Sequence, residues 1–150
     1  MTKQTVLHVE DEEADRLIVS TSFEKVAPGV QLRAVIDGAE AIAYLGGQGA
    51  YQDRDLHPLP QLILLDLKLP KKSGFEVLEW VKAQPGLKQI PVLMLSSSDQ
   101  PKDIERAYAL GANSYLVKNV GLKTMREFVR GIAEYVALSS TSPADSKTKS

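Results

Sequence analysis

The chain has 150 residues, no cysteine, and 18 basic against 19 acidic side chains for a formal net charge of -1. With 43% hydrophobic and 25% charged residues it suits one globular domain able to bury a core. The balanced charge excludes the electrostatic footprint of a nucleic-acid binder. No apolar run could span a bilayer, and no basic-then-apolar amino terminus is present, so a cytoplasmic protein without a membrane partner is expected.

Five short runs rich in Val, Ile and Leu, at 5–9, 30–36, 61–65, 90–95 and 114–117, alternate with segments of helical spacing. That alternation predicts an α/β fold. In the first helical segment Ala14, Leu17, Ile18 and Thr21 follow the i, i+3, i+4, i+7 pattern and are expected to face the sheet, with Pro28-Gly29 ending the helix. The second helix should start at Asp37, with Glu40 in capping-box spacing, and stop at Gly46-Gly47. The stretch from Gly46 to Pro60 carries glycines, prolines and charges, and a connection of that length is expected to be functional or mobile.

Leu62-Ile63-Leu64-Leu65 is apolar at every position, the signature of a strand buried on both faces of a parallel sheet. Ser73-Gly74-Phe75-Glu76 matches S-x-x-E, so a third helix should follow with Phe75, Leu78 and Val81 on one face and Pro85-Gly86 closing it. A fourth should begin near Asp99 with Pro101 just inside, present Ile104, Ala107 and Tyr108, and finish at Gly111. Leu122, Met125, Val129, Ile132 and Val136 give the fifth helix its apolar stripe. The reading is one domain over 1–138, followed by a disordered Ser-, Thr- and Lys-rich tail over 139–150.

Open parallel sheets bind ligands beyond the carboxyl ends of their strands, and four of these runs end there in polar groups. Asp66 follows Leu65, Glu10-Asp11 follow Val9, Ser96 follows Leu95 and Lys118 follows Val117. Converging carboxylates repel unless a cation sits among them, and no His or Cys cluster competes for zinc, so Mg²⁺ is the expected cofactor. A carboxylate beside such a cation is a plausible nucleophile toward phosphorus, with the metal, Lys118 and the Ser96 hydroxyl neutralising charge.

The acidic pair Glu10-Asp11, the segment LLDLKLPKKSG with Asp66, Pro70 and Gly74, PVLMLSS with Ser96, and NSYLVK with Tyr115 and Lys118 together resemble the receiver domains of two-component response regulators. The resemblance implies a flavodoxin-like, doubly wound sheet of five parallel strands in the order 2-1-3-4-5. It implies a phosphoacceptor switch rather than a turnover enzyme, one that promotes its own phosphorylation and slow autodephosphorylation. Asp66 would take the phosphoryl group from the phosphohistidine of a histidine kinase. Asp11, Asp66 and the backbone carbonyl of Lys68 would bind Mg²⁺, with Glu10 acting through water. Lys118 would pair with the phosphoryl oxygens, Ser96 would move to hydrogen-bond one of them, and Tyr115 resembles the aromatic switch that follows it. The surface so changed is formed by the fourth helix, fifth strand and fifth helix, through which relatives often pair as homodimers.

One position departs from the family: Asn119 follows Lys118 where most relatives carry proline in a cis peptide. A non-proline cis bond costs about 3–4 kcal/mol, so either a trans bond with a rearranged loop or a strained cis bond is expected. The long 46–60 loop and the LLDLKLPKKSGFEVLEWVK stretch look most like the single-domain regulators associated with bacterial phytochrome kinases. With the chain ending soon after the fifth helix, no attached output domain is expected, and the signal would pass to a protein partner or to self-association.

The bland readings are specific too. Glu12 and Glu13 complement a helix dipole, Ser97 and Ser98 suit turn and cap positions, Trp80 and Tyr108 suit packing or a partner surface, and neither His8 nor His57 is expected to be catalytic. An aspartate-nucleophile phosphatase would place a second acid where Lys68 stands. A flavodoxin-like nucleotide binder needs a phosphate-cradling loop where Glu10 to Glu13 would repel phosphate. A phosphorelay intermediate or a phosphorylation-independent interaction module is the alternative within the receiver architecture.

Overall fold

The five apolar runs pair into one parallel sheet in the order β2-β1-β3-β4-β5. The computed structural model describes residues 4–139, so the tail expected beyond Leu138 lies outside the described residues except for Ser139. In chain order the elements are β1 (Thr5–Val9), α1 (Glu13–Val26), β2 (Gln31–Val35), α2 (Gly38–Gly46), β3 (Leu62–Leu65), α3 (Gly74–Ala83), β4 (Val92–Ser96), α4 (Pro101–Ala109), β5 (Ser114–Val117) and α5 (Gly121–Ser139). β1 and β3 are buried at every residue, as central strands covered on both faces must be. One core layer joins the sheet to α2, α3 and α4 through residues such as Leu7, Leu65, Leu78 and Ala107. The other joins it to α1 and α5 through Val6, Leu64, Phe23 and Val129. No helix among the described residues is long and apolar enough to cross a membrane.

The helix signals hold at α2 and α3. The Asp37 carboxylate accepts from the Glu40 amide at 2.7 Å while Glu40 Oε2 accepts from the Ile36 amide at 3.3 Å, and Ser73 Oγ accepts from the Glu76 amide at 3.2 Å. α4 is capped at Gln100 rather than Asp99, with Pro101 as its first residue. β4 begins two residues later than expected, because Pro91 has no amide to give the ladder and the first donor is Val92, bonded to Asn113 Oδ1 at 3.0 Å.

α1 turns a different face inward from the one expected. Leu17 is 65% exposed and Ile18 is 42% exposed, whereas Val19, Ser22 and Phe23 are buried. Val19, Ser22, Phe23 and Val26 satisfy the same i, i+3, i+4, i+7 template, and the stripe that carries the phenyl ring removes more apolar area from water. The Ser22 hydroxyl donates to the Ile18 carbonyl at 2.9 Å, which satisfies it inside the core. Leu122 is likewise 58% exposed, so the buried stripe of α5 starts at Met125.

The 46–60 connection is pinned by contacts. Arg54 donates to the carbonyls of Tyr44 and Leu45, in the last turn of α2, at 2.8 Å each and to that of His57 at 3.2 Å, which ties the connection to the helix end. The Tyr44 hydroxyl donates to the Pro58 carbonyl at 2.7 Å, and the rings of Tyr44 and Tyr51 (tilted) and of Tyr51 and His57 (edge to face) pack with centroids 5.0 Å apart. His57 therefore belongs to an aromatic cluster, as a packing residue.

Candidate functional site at the carboxyl rim of the sheet

Strand register brings the acidic residues together. Val9 lies opposite Leu65 in the β1·β3 ladder, so Glu10 and Asp66, one residue further on each strand, are neighbours at the rim. The Asp66 amide donates to the Val9 carbonyl at 3.2 Å and the Glu10 amide to the Val35 carbonyl at 3.0 Å, carrying the ladder pattern past the strand ends. Gly74 then lets α3 begin against this turn, since a Cβ there would lie 2.1 Å from the Asp66 carbonyl oxygen. On the far side Ser96 pairs with Val117, and the next residue is Lys118.

Carboxylate oxygens of Glu10, Asp11 and Asp66 all lie within 4.8 Å of one another, with Glu10 and Asp66 buried and Asp11 exposed. Lys118 Nζ, on a side chain only 16% exposed, reaches Glu10 Oε1 at 2.6 Å, Asp15 Oδ2 at 2.8 Å and Asp66 Oδ2 at 3.1 Å. Burial pushes the Glu10 carboxyl up to about 7 against the pull of Lys118, and the Asp66 charge adds to the rise. Burial works against the Lys118 charge, but the hydrogen bonds of Asp15 and Glu10 and the charge of Asp66 outweigh it and raise the ammonium above its ordinary range. Glu10 Oε1 is buried and has the ammonium at 2.6 Å as its contact. A buried oxygen left with lone-pair capacity in an all-oxygen donor set fits a hard divalent cation.

Ser96 is fully buried at the end of β4, and its hydroxyl accepts from the Ser98 amide at 3.2 Å. The Tyr115 hydroxyl donates to the Ser98 carbonyl at 2.8 Å, so both expected switch residues hold the same loop residue. Ser98 Oγ in turn donates to Asp103 Oδ2 at 2.6 Å and accepts from the Gln100 amide at 3.3 Å, in the turn role expected of it. Lys68 is exposed two residues past Asp66. No cis peptide occurs among the described residues, so Lys118-Asn119 is trans. The loop forms a tight turn, closed by the Val120 amide on the Lys118 carbonyl at 2.9 Å.

His8, in mid-β1, faces α1 with Nδ1 buried and without a hydrogen-bond partner. Burial first, then the positive charges of Lys118 and Arg16, lower its pKa to about 4, so the ring is neutral in the fold. Sequence reasoning missed Asp15. Its one signal was its place in the first turn of α1, directly after the acidic run that follows β1.

The family model described as the response regulator receiver domain matches residues 6–130. Response regulator Rcp1 of Synechocystis sp. is 40% identical over 141 residues, covering 94% of each chain. The phosphorylated form of the cyanobacterial phytochrome response regulator RcpA superposes with a TM-score of 0.81 at 38% identity, over 94% of this chain and 98% of that one. The Mn²⁺-bound form of Rcp1 gives a TM-score of 0.76 at 41% identity, over 86% and 91% of the two chains. A five-stranded sheet in the order 2-1-3-4-5, an acidic cluster fit for a divalent cation, and these likenesses agree: the chain belongs to the response regulator receiver family.

Proposed function

We propose that Asp66 is the phosphoacceptor of this receiver. A carboxylate oxygen of Asp66 attacks the phosphorus of a phosphohistidine on a histidine kinase. The O–P bond forms as the N–P bond breaks, and the imidazole leaves with the bonding pair and takes a proton from solvent. The observation that carries this reading is the Lys118 ammonium 3.1 Å from Asp66 Oδ2, at a rim where Glu10 and Asp11 converge with that carboxylate. Asp11, Asp66 and the Lys68 carbonyl would hold Mg²⁺, with Glu10 acting through water. When bound, the cation neutralises charge on the transferring group.

Lys118 pairs with the phosphoryl oxygens in the modified state, and Ser96 turns its hydroxyl from the Ser98 amide toward one of them. Because Tyr115 holds the Ser98 carbonyl, that turn loosens the tyrosine as well. The change is read on α4, β5 and α5, where Tyr108, Tyr135 and Leu138 are exposed. Self-association through that face is the output we propose. The kinase docks where Ile18 and Leu122 are exposed beside the rim, and likeness to phytochrome response regulators supports a phytochrome-type kinase as the donor.

The test is phosphorylation by acetyl phosphate with and without Mg²⁺. Wild-type protein should gain one acid-labile phosphoryl group only with the cation present, and Asp66→Asn should gain none. Equal labelling of the mutant would overturn the assignment.

A further inference from the structure

Three carboxylates share the Lys118 ammonium, and only two of them belong to the acidic cluster. Glu10 and Asp66 lie in it; Asp15, at 2.8 Å from Nζ, does not. On the reading of that cluster as the metal site of the phosphoacceptor, a divalent cation claims Asp66 directly and Glu10 through water, and repels the ammonium from them. A nearly buried ammonium stripped of its partners is strongly destabilised unless a carboxylate remains to it. Asp15 is that carboxylate, reaching down from the first turn of α1. Beside the pair lies a cavity of about 30 Å³ lined by Asp15, Ile18, Val19, Leu95, Lys118 and Met125. It is large enough for about one water, so the ammonium can shift without parting α1 from α5.

We infer that Asp15 is a positioning residue that takes over Lys118 when a divalent cation occupies the Glu10, Asp11 and Asp66 cluster. The lysine is thereby drawn away from the metal and yet kept over Asp66. Removing the Asp15 carboxylate leaves the ammonium with the metal's own ligands as its only anionic partners among the described residues, so lysine and metal then compete for the same oxygens.

The full chain is titrated with Mn²⁺, reading the free ion by electron paramagnetic resonance. Asp15→Asn should weaken binding by about fivefold or more, the size of coupling expected between contacting charges. Glu13→Gln removes an exposed charge from the same helical turn with no ion pair to Lys118, and should change the affinity by less than about twofold. Asp15→Glu, which keeps the carboxylate, should recover most of the loss. In a Lys118→Met background Asp15→Asn should have no more effect than Glu13→Gln, because there is no ammonium left to hold. Equal effects of Asp15→Asn and Glu13→Gln in the wild-type background would overturn the inference, as would an Asp15→Asn loss that persists undiminished without Lys118. The first comparison stands by itself if Lys118→Met does not fold. A wild-type chain that binds no Mn²⁺ would sink the metal-site reading and this inference with it, whereas tight binding with an inert Asp15 would sink only the inference.

Discussion

His8 shows how one buried side chain ties stability to pH. Its ring is 1% exposed, and its folded pKa of about 4 lies below the unfolded value of 6.5. Between those values the unfolded chain binds the proton that the fold refuses, so the stability tied to the neutral ring is complete above 6.5 and is lost as pH falls toward 4. His8→Asn removes that titration. In urea denaturation the stability gap between wild type and variant should change by about 3 kcal/mol across this window, in the direction that penalises wild type in acid. Curves that run parallel would mean the imidazole is freely protonated in the fold. Gly74 works at the same scale by geometry: any Cβ would strike the Asp66 carbonyl, so glycine here lets helix and acidic turn close up.

At the scale of the element, α1 divides its labour between faces. Phe23 anchors it in the core and Asp15 reaches the site, while Ile18 stays 42% exposed beside Asp15. Truncating Phe23 to Ala should cost about 3–5 kcal/mol, whereas Ile18→Ser should change stability by less than about 1 kcal/mol. If the kinase docks across α1 and the start of α5, Ile18→Ser and Leu122→Ser should slow phosphotransfer from the cognate kinase and leave labelling by acetyl phosphate unchanged. Equal slowing with both donors would place the defect in the acceptor site and remove the docking role. α4 is anchored more lightly, with only Ala107 fully buried, the Ser98–Asp103 bond at its start and the Arg106 guanidinium 4.2 Å above the Phe75 ring. An element held by so few contacts is the one that the proposed turn of Ser96 would move.

Across the whole molecule, the site and the proposed output face are joined by backbone. Ser96 ends β4, Lys118 follows β5, and the Lys118 amide donates to the Ser96 carbonyl at 2.8 Å, so a shift at one strand end is felt at the other. Beryllofluoride with Mg²⁺, as a mimic of the phosphoryl group, should therefore change the self-association equilibrium measured by sedimentation velocity. Tyr135→Ser and Leu138→Ser on the exposed part of α5 should reduce the associated form. Profiles identical with and without the mimic would show that this face is not the output.

Much of this architecture was legible in the chain. Short apolar runs, four of the five closed by a polar group, point to parallel strands, and β3 carries the clearest signal because only a strand covered on both faces tolerates apolar side chains at every position. The same runs mark the rim, so Glu10, Asp11, Asp66, Ser96 and Lys118 could be named from their place after a strand. Asn119 in place of proline already foretold a trans bond as one of two outcomes. What tertiary structure alone decided was selection among local equals. α1 carries two stripes of the same period, and only packing against the sheet and α5 chose Val19, Ser22 and Phe23 over Ala14, Leu17, Ile18 and Thr21. Asp15 stands 103 residues from Lys118, and no local pattern pairs them. Local sequence encodes period and polarity, whereas partners distant along the chain are set by sheet order and helix rotation, which arise only when the core closes.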